Sequence, residues 1–314
     1  MADTTRLRIA LAQINPHVGN IRHNADLIRR ARAEGARLGA DLVVTPEFSI
    51  GGYPVEDLVL KPAFVQDCAA AIADLAAETA DGGPGLVVGG PWVDGAKRHN
   101  ALFVLEGGRI LARRAKHELP NYGVFDEKRV FDPGPCPGPV AFRGWRLGLM
   151  ICEDWWFPTV SETLAESGAE ILLSINGSPF ETGKARRRVD LAVPRVVETG
   201  LPFVFLGQVG GQDELVFDGG SFVLNPDRSL AAHLPLFEES VTLTEWRREG
   251  ERLVCTAQAL PDEVPMPEQI YRAMMLGLRD YVDKNRFPGV VLGLSGGIDS
   301  AISAAVAADA LGPG

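Results

Sequence analysis

The sequence lacks paired-cysteine motifs, long apolar runs and an excess of basic residues. Its 314 residues contain four cysteines without CxxC spacing, which argues against a disulfide framework or a structural zinc site. No run approaches the ~18 apolar residues that span a bilayer, and 31 basic against 41 acidic residues give a net charge of −10. This charge disfavours a general nucleic-acid-binding or membrane-binding surface. We therefore expect a cytoplasmic protein with free thiols and no metal site.

The main basic run is KARRR, residues 184–188, at the start of a predicted helix over residues 183–199. Charged residues of a helix usually form its solvated face. A solvated face is therefore the simplest interpretation of this run.

Short apolar runs alternate with amphipathic segments between Leu7 and about Leu206, a pattern typical of an α/β fold in which helices cover sheets. Helices are predicted over residues 21–39, 62–80, 158–168 and 183–199. A hairpin-like run over residues 86–115 indicates mixed rather than purely parallel sheets. Further short strands are predicted over residues 216–256. The earlier predicted strands are LRIALAQI, DLVVTPE, GLVVGGPW, NALFVLEGG, RILARRA, RLGLMIC, EILLSING and PFVFLG.

The chain is predicted to contain two domains. Residues 258–269 include three prolines and are typical of a linker, which separates a domain at 1–257 from a second at 270–314. The second segment reads as a helix over 267–286, a strand GVVLGL over 289–294, a glycine turn and the start of another helix. One βα unit cannot bury both faces of its strand. We therefore expect an incomplete α/β domain, with residues beyond about 257 poorly ordered or packed against another chain.

Three of the apolar runs end at a residue that can take part in catalysis. DLVVTPE ends at Glu47, RILARRAK at Lys116 and RLGLMIC at Cys152. These groups suit amide hydrolysis through a thioester, with Cys152 as nucleophile, Glu47 as general base and Lys116 as stabiliser of the oxyanion. The N–H of Glu153 is a candidate second oxyanion donor, and Lys116 would lower the pKa of the thiol. The alternative is that Cys152 is a small apolar residue of a core strand.

The blocks around these residues are TPEF, AKHELPNYGVFDEKRVF and ICEDWWFP, and they resemble the three signature blocks of the nitrilase superfamily, the carbon-nitrogen hydrolases, over residues 7–256. The resemblance implies a four-layer αββα sandwich, a catalytic triad of Glu47, Lys116 and Cys152, and no cofactor in this domain. It also implies a second acid between the lysine and the cysteine. Glu127 in FDEKR fits that role, and the alternative is an exposed acid beside two basic neighbours. The resemblance further implies a homo-oligomer.

The run LGLSGGIDS, residues 292–300, is a glycine turn between a predicted strand and a predicted helix. Backbone N–H groups in such a turn, together with the helix N-terminus, hold phosphate. No Walker A lysine follows, and a purely structural turn is the alternative. The run resembles the phosphate loop of the ATP pyrophosphatases. The ATP-binding residues implied by this resemblance are Gly293, Leu294, Ser295, Gly296, Gly297, Ile298, Asp299 and Ser300.

A nitrilase-like domain ahead of this loop resembles the glutamine-dependent NAD synthetase family. That family hydrolyses glutamine to supply ammonia for the amidation of deamido-NAD, which uses ATP and Mg²⁺. The resemblance therefore implies glutamine, ATP and deamido-NAD as substrates, and we expect this chain to retain at most the glutaminase step. Without the family, the glutamine-binding candidates would be a packed tyrosine, a turn serine, a surface lysine and a core tryptophan. These candidates are Tyr122, Ser178, Lys184 and Trp156.

Two other functions are compatible with the sequence. The first is a stand-alone amidase of the nitrilase superfamily that acts on another small amide, for which the first domain would suffice. The second is a non-catalytic nitrilase-like domain that only binds a ligand. The phosphate loop argues against the first alternative, and the presence of Glu47, Lys116 and Cys152 argues against the second.

Overall fold

The computed structural model describes residues 5–250 and 252–312. The four helices predicted before residue 200 are confirmed, and no helix in these ranges is long and apolar enough to cross a membrane. The α-helices are α1 (Ile21–Arg37), α2 (Pro62–Glu78), α3 (Glu127–Val130), α4 (Pro158–Glu166), α5 (Lys184–Thr199), α6 (Met266–Asn285) and α7 (Ile298–Leu311). The strands are β1 (Arg6–Gln13), β2 (Leu42–Val44), β3 (Gly85–Asp94), β4 (Lys97–Glu106), β5 (Arg109–Ala115), β6 (Val140–Phe142), β7 (Trp145–Ile151), β8 (Ile171–Asn176), β9 (Phe203–Gly207), β10 (Val209–Gln212), β11 (Leu215–Asp218), β12 (Phe222–Leu224), β13 (Leu230–His233), β14 (Ser240–Glu249) and β15 (Arg252–Cys255).

The strands form two mixed sheets and a short ribbon of β10 and β11. The first sheet has the order β15-β14-β1-β2-β3-β4-β5, in which β1 pairs in parallel with β2 and antiparallel with β14. The second has the order β13-β12-β9-β8-β7-β6, in which β8 lies in parallel between β7 and β9. The prediction of mixed sheets is confirmed.

Four layers follow from the faces on which the apolar side chains are buried. In β1, Ile9 and Leu11 belong to the cluster between the two sheets, whereas Ala10 and Ala12 face helices α1 and α2. This alternation follows from the two-residue period of a strand. Helices α4 and α5 cover the outer face of the second sheet in the same way. The predicted αββα sandwich is confirmed.

Helix α6 packs on the same chain, against the ribbon of β10 and β11. Its Ala273 and Leu276 are buried with Val209, Leu236 and Phe237 in one apolar cluster. Burial of this apolar surface stabilises the docked helix. The expectation that residues beyond about 257 would be poorly ordered or packed on another chain is therefore wrong for α6.

Two charged residues of α6 also anchor the helix. The buried carboxylate of Asp280 accepts hydrogen bonds from the Gly211 N–H at 2.7 Å and from Asn15 Nδ2 at 2.6 Å. Lys284 Nζ donates to the Gly211 carbonyl at 2.7 Å and to Asn15 Oδ1 at 2.8 Å. These bonds connect α6 to β10 and to the segment after β1.

Asp280→Ala should loosen α6 without unfolding the sandwich. The substitution leaves the buried N–H of Gly211 and the partly buried amide of Asn15 without an acceptor, which costs about 2 kcal/mol or more. We expect faster hydrogen exchange of the α6 amides than in the unmodified chain, with the amides of α4 unchanged. Asp283→Ala is the matched control because Asp283 is exposed on the same helix. Equal exchange of α6 in both variants would contradict the assigned anchor.

Residues 289–294, predicted as the strand GVVLGL, form no strand in the structure. A strand needs a neighbour to pair its backbone groups, and no strand in the described part of the chain pairs with this segment.

The glycine turn and the following helix are present, with Gly296 at φ 82° and α7 beginning at Ile298. Helix α7 contacts α6, where Tyr271 Oη donates to Asp309 Oδ2 at 2.6 Å. The first turn of α6 lies within the predicted linker, and the domain boundaries stay a prediction.

Candidate active site

The three predicted catalytic residues follow strands of both sheets. Glu47 follows β2 and Lys116 follows β5 in the first sheet, whereas Cys152 follows β7 in the second. All three side chains are buried. The two sheets face each other, and the fold places Glu47 and Lys116 in direct contact and close enough to Cys152 to act on its charge.

Glu47 is held by hydrogen bonds on both oxygens. Its Oε1 accepts from Lys116 Nζ at 2.8 Å and from Asn100 Nδ2 at 2.7 Å, and its Oε2 accepts from the Gly177 N–H at 2.7 Å. Gly177 directly follows β8, and a side chain there would collide with the ring of Tyr53. The carboxylate is therefore fixed in one orientation by Lys116, Asn100 and the backbone of Gly177.

Glu127, which fits the second acid that the family resemblance implies, also contacts Lys116. Its Oε1 accepts from Lys116 Nζ at 2.8 Å and from Tyr53 Oη at 2.9 Å, and its Oε2 has no partner among the described residues. Burial raises the pKa of Glu127 to about 7. Burial opposes the charge of Lys116, yet the carboxylates of Glu127 and Glu47 outweigh it and raise the pKa of Lys116 well above its ordinary value. The alternative of an exposed acid is wrong.

Cys152 begins a 3₁₀ turn, Cys152–Trp155, and has a φ of 45°. A residue with a side chain rarely adopts this left-handed conformation, and holding one there costs of order 1 kcal/mol or more. The surrounding hydrogen bonds must fix it. The carboxylate of Asp154 accepts from the N–H groups of Ile151 at 2.9 Å, His117 at 2.9 Å and Glu118 at 2.8 Å. Asp154 thus ties the turn that carries Cys152 to the segment that follows Lys116.

The surroundings of Cys152 favour the protonated thiol over the thiolate. Burial and the nearby carboxylate of Glu47 raise its pKa well above the ordinary value, and the lowering effect of Lys116 is smaller. The sequence-based expectation had the direction of the lysine effect right, but it neglected desolvation of the buried sulfur. To act as a nucleophile, this thiol would need a base, and Glu47 is the carboxylate with the largest effect on its charge.

Glu153, the next residue of the turn, is a buried acid held by Tyr122. Tyr122 Oη donates to both carboxylate oxygens of Glu153, at 2.9 and 3.0 Å. Burial raises the pKa of Glu153, and the hydrogen bond from Tyr122 opposes the shift. About half of the Tyr122 side chain is exposed, so this pair lies where Cys152 meets the surface.

The other glutamine-binding candidates are Ser178, Lys184 and Trp156, which lie on three different segments. Ser178 directly follows Gly177, and Lys184 begins α5 and pairs with Glu181. Trp156 ends the Cys152 turn and stacks under the guanidinium of Arg187 at 5.2 Å. In the part of the chain that the structure describes, no hydrogen bond joins these candidates to one another. Lys184 and Arg188 are both buried, so the interpretation of KARRR as a solvated face is wrong for two of its five residues.

The predicted ATP-binding loop is separate from Cys152 and largely exposed. Ser295 Oγ lies 3.2 Å from Ser300 Oγ and accepts from the Gly297 N–H at 3.4 Å. A groove of about 650 Å³ between α2 and strands β3 and β5 contains none of the predicted site residues. In residues 5–250 and 252–312, no three His, Cys, Asp or Glu side chains cluster in a way that could hold a metal ion.

Sequence reasoning missed four residues that support this site. Tyr53 and Asn100 hold the two acids, Asp154 holds the nucleophile turn, and Arg188 contacts Ser178. The sequence could have indicated a role for Asp154, because two acids directly follow Cys152 in ICED. Arg188 also had a signal, because its four-residue spacing from the apolar Ala192 places both on one face of α5. Tyr53 and Asn100 are distant in sequence from their partners and had none.

The model of the carbon-nitrogen hydrolase family matches residues 8–254. The chain belongs to the carbon-nitrogen hydrolase family. A second model, of NAD synthase, matches residues 270–314 of this hydrolase chain. The two matches confirm the predicted resemblance and its order along the chain.

The hydrolase chain is also similar to curated and solved proteins. It is 51% identical to a glutamine-dependent NAD(+) synthetase from Rhodobacter capsulatus, over 99% of this chain and 56% of that protein. A glutamine-dependent NAD+ synthetase from Acinetobacter baumannii has a TM-score of 0.92 at 37% identity, over 98% of this chain and 58% of that chain. An amidase from Nesterenkonia sp. AN1, with acrylamide added at its active-site cysteine, has a TM-score of 0.67 at 28% identity, over 78% and 94% of the two chains. The chain thus spans little more than half the length of the synthetases it matches.

Glu127→Gln should change how stability depends on pH. The pKa of Glu127 is raised by burial to about 7, whereas an unfolded glutamate titrates at about 4.3. Between these values the folded protein keeps a proton that the unfolded chain loses, so the free energy of unfolding falls as pH rises. Glutamine removes this decline, and the variant should gain on the order of 2 kcal/mol relative to the unmodified chain between about pH 5 and about pH 8. Urea denaturation at the two pH values measures it.

Glu118→Gln is the control for this pH dependence, because Glu118 is a partly exposed acid of the same connecting segment. It should leave the decline unchanged. An identical decline in Glu127→Gln and the unmodified chain would contradict the raised pKa.

Proposed function

We propose that this carbon-nitrogen hydrolase is the glutaminase part of a glutamine-dependent NAD synthetase. One observation carries the proposal: the buried set of Cys152, Glu47 and Lys116 is followed in the same chain by a match to NAD synthase. The similarity to the Rhodobacter capsulatus synthetase over 99% of this chain supports it. In this proposal residues 1–257 hydrolyse glutamine, residues 258–269 link the domains, and residues 270–314 begin the synthetase domain.

The first half of the reaction forms a thioester and releases ammonia. The Cys152 thiol passes its proton to Glu47 as the sulfur attacks the carboxamide carbon of glutamine. The oxygen of that carbonyl becomes negative and is stabilised by Lys116 Nζ and the N–H of Glu153. Glu47 then protonates the amide nitrogen, the carbon-nitrogen bond breaks and ammonia leaves.

The second half restores the enzyme. Glu47 takes a proton from water while the water oxygen attacks the thioester carbon. The carbon-sulfur bond breaks, glutamate is released, and the sulfur of Cys152 recovers its proton from Glu47. Glu127 takes no part in bond changes and, like Glu47, accepts a hydrogen bond from the ammonium of Lys116. The acrylamide adduct of the Nesterenkonia amidase supports a cysteine nucleophile in this fold.

Glutamine would be recognised by Tyr122, Ser178, Lys184 and Trp156. A glutamine side chain that reaches the buried Cys152 leaves its α-carboxylate and α-ammonium nearer the surface. The ammonium of Lys184 suits the α-carboxylate. The carboxylate of Glu153, which accepts from Tyr122, suits the α-ammonium.

The synthetase half would use ammonia, ATP and deamido-NAD. The loop at 293–300 and the N-terminus of α7 supply N–H groups and hydroxyls for phosphate. Mg²⁺ would arrive with ATP as part of that substrate. The NAD synthase match covers residues 270–314 alone, and we propose that this chain performs at most the glutaminase step. A cytoplasmic location, which its four unpaired cysteines support, and a homo-oligomer complete the proposal.

One observation favours a second candidate, a stand-alone amidase acting on another small amide. The Nesterenkonia amidase superposes over 94% of its own length, so a complete amidase fits within this chain. The segment matched by NAD synthase has no place in such an enzyme.

The deciding experiment assays ammonia release from glutamine and from acrylamide and other small amides by this chain. A chain extended to the full length of the synthetases is then assayed for NAD formation with ATP, deamido-NAD and either glutamine or free ammonia. Glutamine cleavage by this chain, with NAD formed by the extended chain, supports the proposal. If the extended chain cleaves another amide, ignores glutamine and binds no ATP, the stand-alone amidase is correct.

A further inference from the structure

Ser178 lies at the edge of the candidate site and is held by a buried arginine. The residue before it, Gly177, donates its N–H to Glu47. Ser178 therefore directly follows a residue that contacts the proposed base. Arg188 lies on α5, one turn after Lys184, with its side chain 2% exposed. Its Nε donates to Ser178 Oγ at 3.2 Å, and its Nη2 donates to the carbonyls of Ser178 at 2.9 Å and Pro179 at 3.2 Å.

The guanidinium of Arg188 is itself fixed by a second buried charge. Asp218, at the end of β11, accepts two hydrogen bonds from Arg188, both at 2.8 Å. The plane of the guanidinium also lies over the ring of Phe205 at 5.4 Å. A bidentate, stacked arginine is held in one orientation. Arg188 therefore presents its Nε to Ser178 with little freedom.

This contact sets the direction of the Ser178 hydroxyl. A serine hydroxyl has one proton to donate and two lone pairs to accept with, whereas a guanidinium only donates. Ser178 Oγ must therefore accept from Arg188, and its own proton points elsewhere. Within the described ranges, Ser178 Oγ makes no hydrogen bond besides this one. The proton remains available to a bound ligand, and the bond that the same oxygen accepts from Arg188 polarises the hydroxyl and strengthens the donation.

We propose that Arg188 is a specificity-determining positioning residue: it directs the Ser178 hydroxyl proton toward the ligand, and because a carboxylate accepts this bond more strongly than a neutral amide oxygen does, the pocket selects an α-carboxylate over an α-carboxamide. This inference rests on the proposed glutaminase function. Arg188 touches no substrate and acts through Ser178. Lys184, one turn earlier on α5, adds positive charge on the same side of the pocket.

The test compares hydrolysis of glutamine with hydrolysis of glutamine α-amide, whose side-chain amide is the same. Arg188→Met alone would leave the Asp218 carboxylate buried without a partner, so the variant is Arg188→Met/Asp218→Leu, which removes both charges. We expect the ratio of kcat/KM for the two substrates to fall roughly 10- to 100-fold. The kcat for glutamine should stay within about threefold, because the change acts on binding.

Ser178→Ala should lower the ratio by the same factor, and combining it with the Arg188 and Asp218 changes should lower it no further. Arg186→Met is the matched control, because Arg186 lies on the same helix with its side chain 90% exposed. An unchanged ratio in a folded Arg188→Met/Asp218→Leu variant would overturn the inference, as would a triple variant in which the two effects multiply. If the unmodified chain releases no ammonia from glutamine, the proposed function fails instead.

Discussion

Cys152→Ala is expected to abolish the release of ammonia from glutamine. Alanine has no atom that can form the thioester, and the remaining Glu47 and Lys116 have no nucleophile to assist. Loss of a nucleophile typically costs roughly 10⁴-fold or more in kcat. The measurement is ammonia formation by purified variant and unmodified chain at saturating glutamine, with circular dichroism confirming that both are folded.

Covalent labelling separates the role of Cys152 from that of the other thiols. A diazoketone analogue of glutamine should add once, at Cys152. Burial raises the pKa values of Cys68 and Cys255 to about 12, and the charges that act on these thiols are Asp67 and Glu245 rather than a paired glutamate and lysine, so we expect neither to be labelled. Cys136 is the internal control because it is more exposed than the other cysteines. A label chiefly on Cys136, or ammonia release by Cys152→Ala near the unmodified rate, would remove Cys152 from the mechanism.

The strands and the residues at their ends were predictable because both depend on local sequence. The central strands of the sandwich are covered on both faces, so they read as short apolar runs. The runs before Glu47 and Cys152 are of this kind, whereas the run before Lys116 is the partly exposed edge strand β5. The approximate positions of the helices follow from the 3.6-residue period. These patterns predict which residues end a strand, and the family resemblance predicts which of those residues form one site.

The contacts within the site were not predictable from the pattern alone. Glu47 and Cys152 come from different sheets, and their approach depends on how the sheets face each other. The bond from Tyr53 to Glu127 joins residues 74 positions apart. The net rise of the Cys152 thiol pKa depends on how deeply the sulfur is buried, which a strand pattern does not quantify. The positive φ of Cys152 likewise has no signal in an apolar run.

The basic run at the start of α5 was misinterpreted because its charge was considered and the spacing of its residues along the helix was not. Lys184, Arg188, Ala192 and Val196 recur every four residues and are all buried. They form one face of the helix, and this face begins with charged residues and ends with apolar ones. Spacing, rather than charge, would have assigned Arg188 to the interior, where Asp218 pairs with it.

The prediction for residues 289–294 was wrong for a related reason. The run GVVLGL has the composition of a strand, but a strand exists only where another strand pairs with it. In the described part of the chain that partner is missing. Helix α6 is present in full because its apolar face packs against the ribbon of β10 and β11.

Lys116→Met should lower the turnover of glutamine by roughly 10²- to 10³-fold, as expected for loss of an oxyanion donor. Methionine is similar in length to lysine but cannot donate to the carbonyl oxygen of glutamine. The KM for glutamine should change little, because the interaction is strongest in the transition state. Steady-state ammonia release measures both constants. Glu47→Gln should also lose turnover, since an amide cannot take the proton of the Cys152 thiol.

The difficulty with Lys116→Met is that Lys116 neutralises two buried acids, Glu47 and Glu127, each 2.8 Å from its Nζ. Removing the lysine leaves both carboxylates without their partner, which typically costs 3–5 kcal/mol, so lost activity could reflect lost folding. The variant Lys116→Met/Glu127→Gln removes one of the two acids and should regain much of the stability in urea denaturation. Its turnover should stay as low as that of Lys116→Met, because the oxyanion donor is still absent. Recovery of turnover together with stability would show that Lys116 serves the fold rather than the reaction.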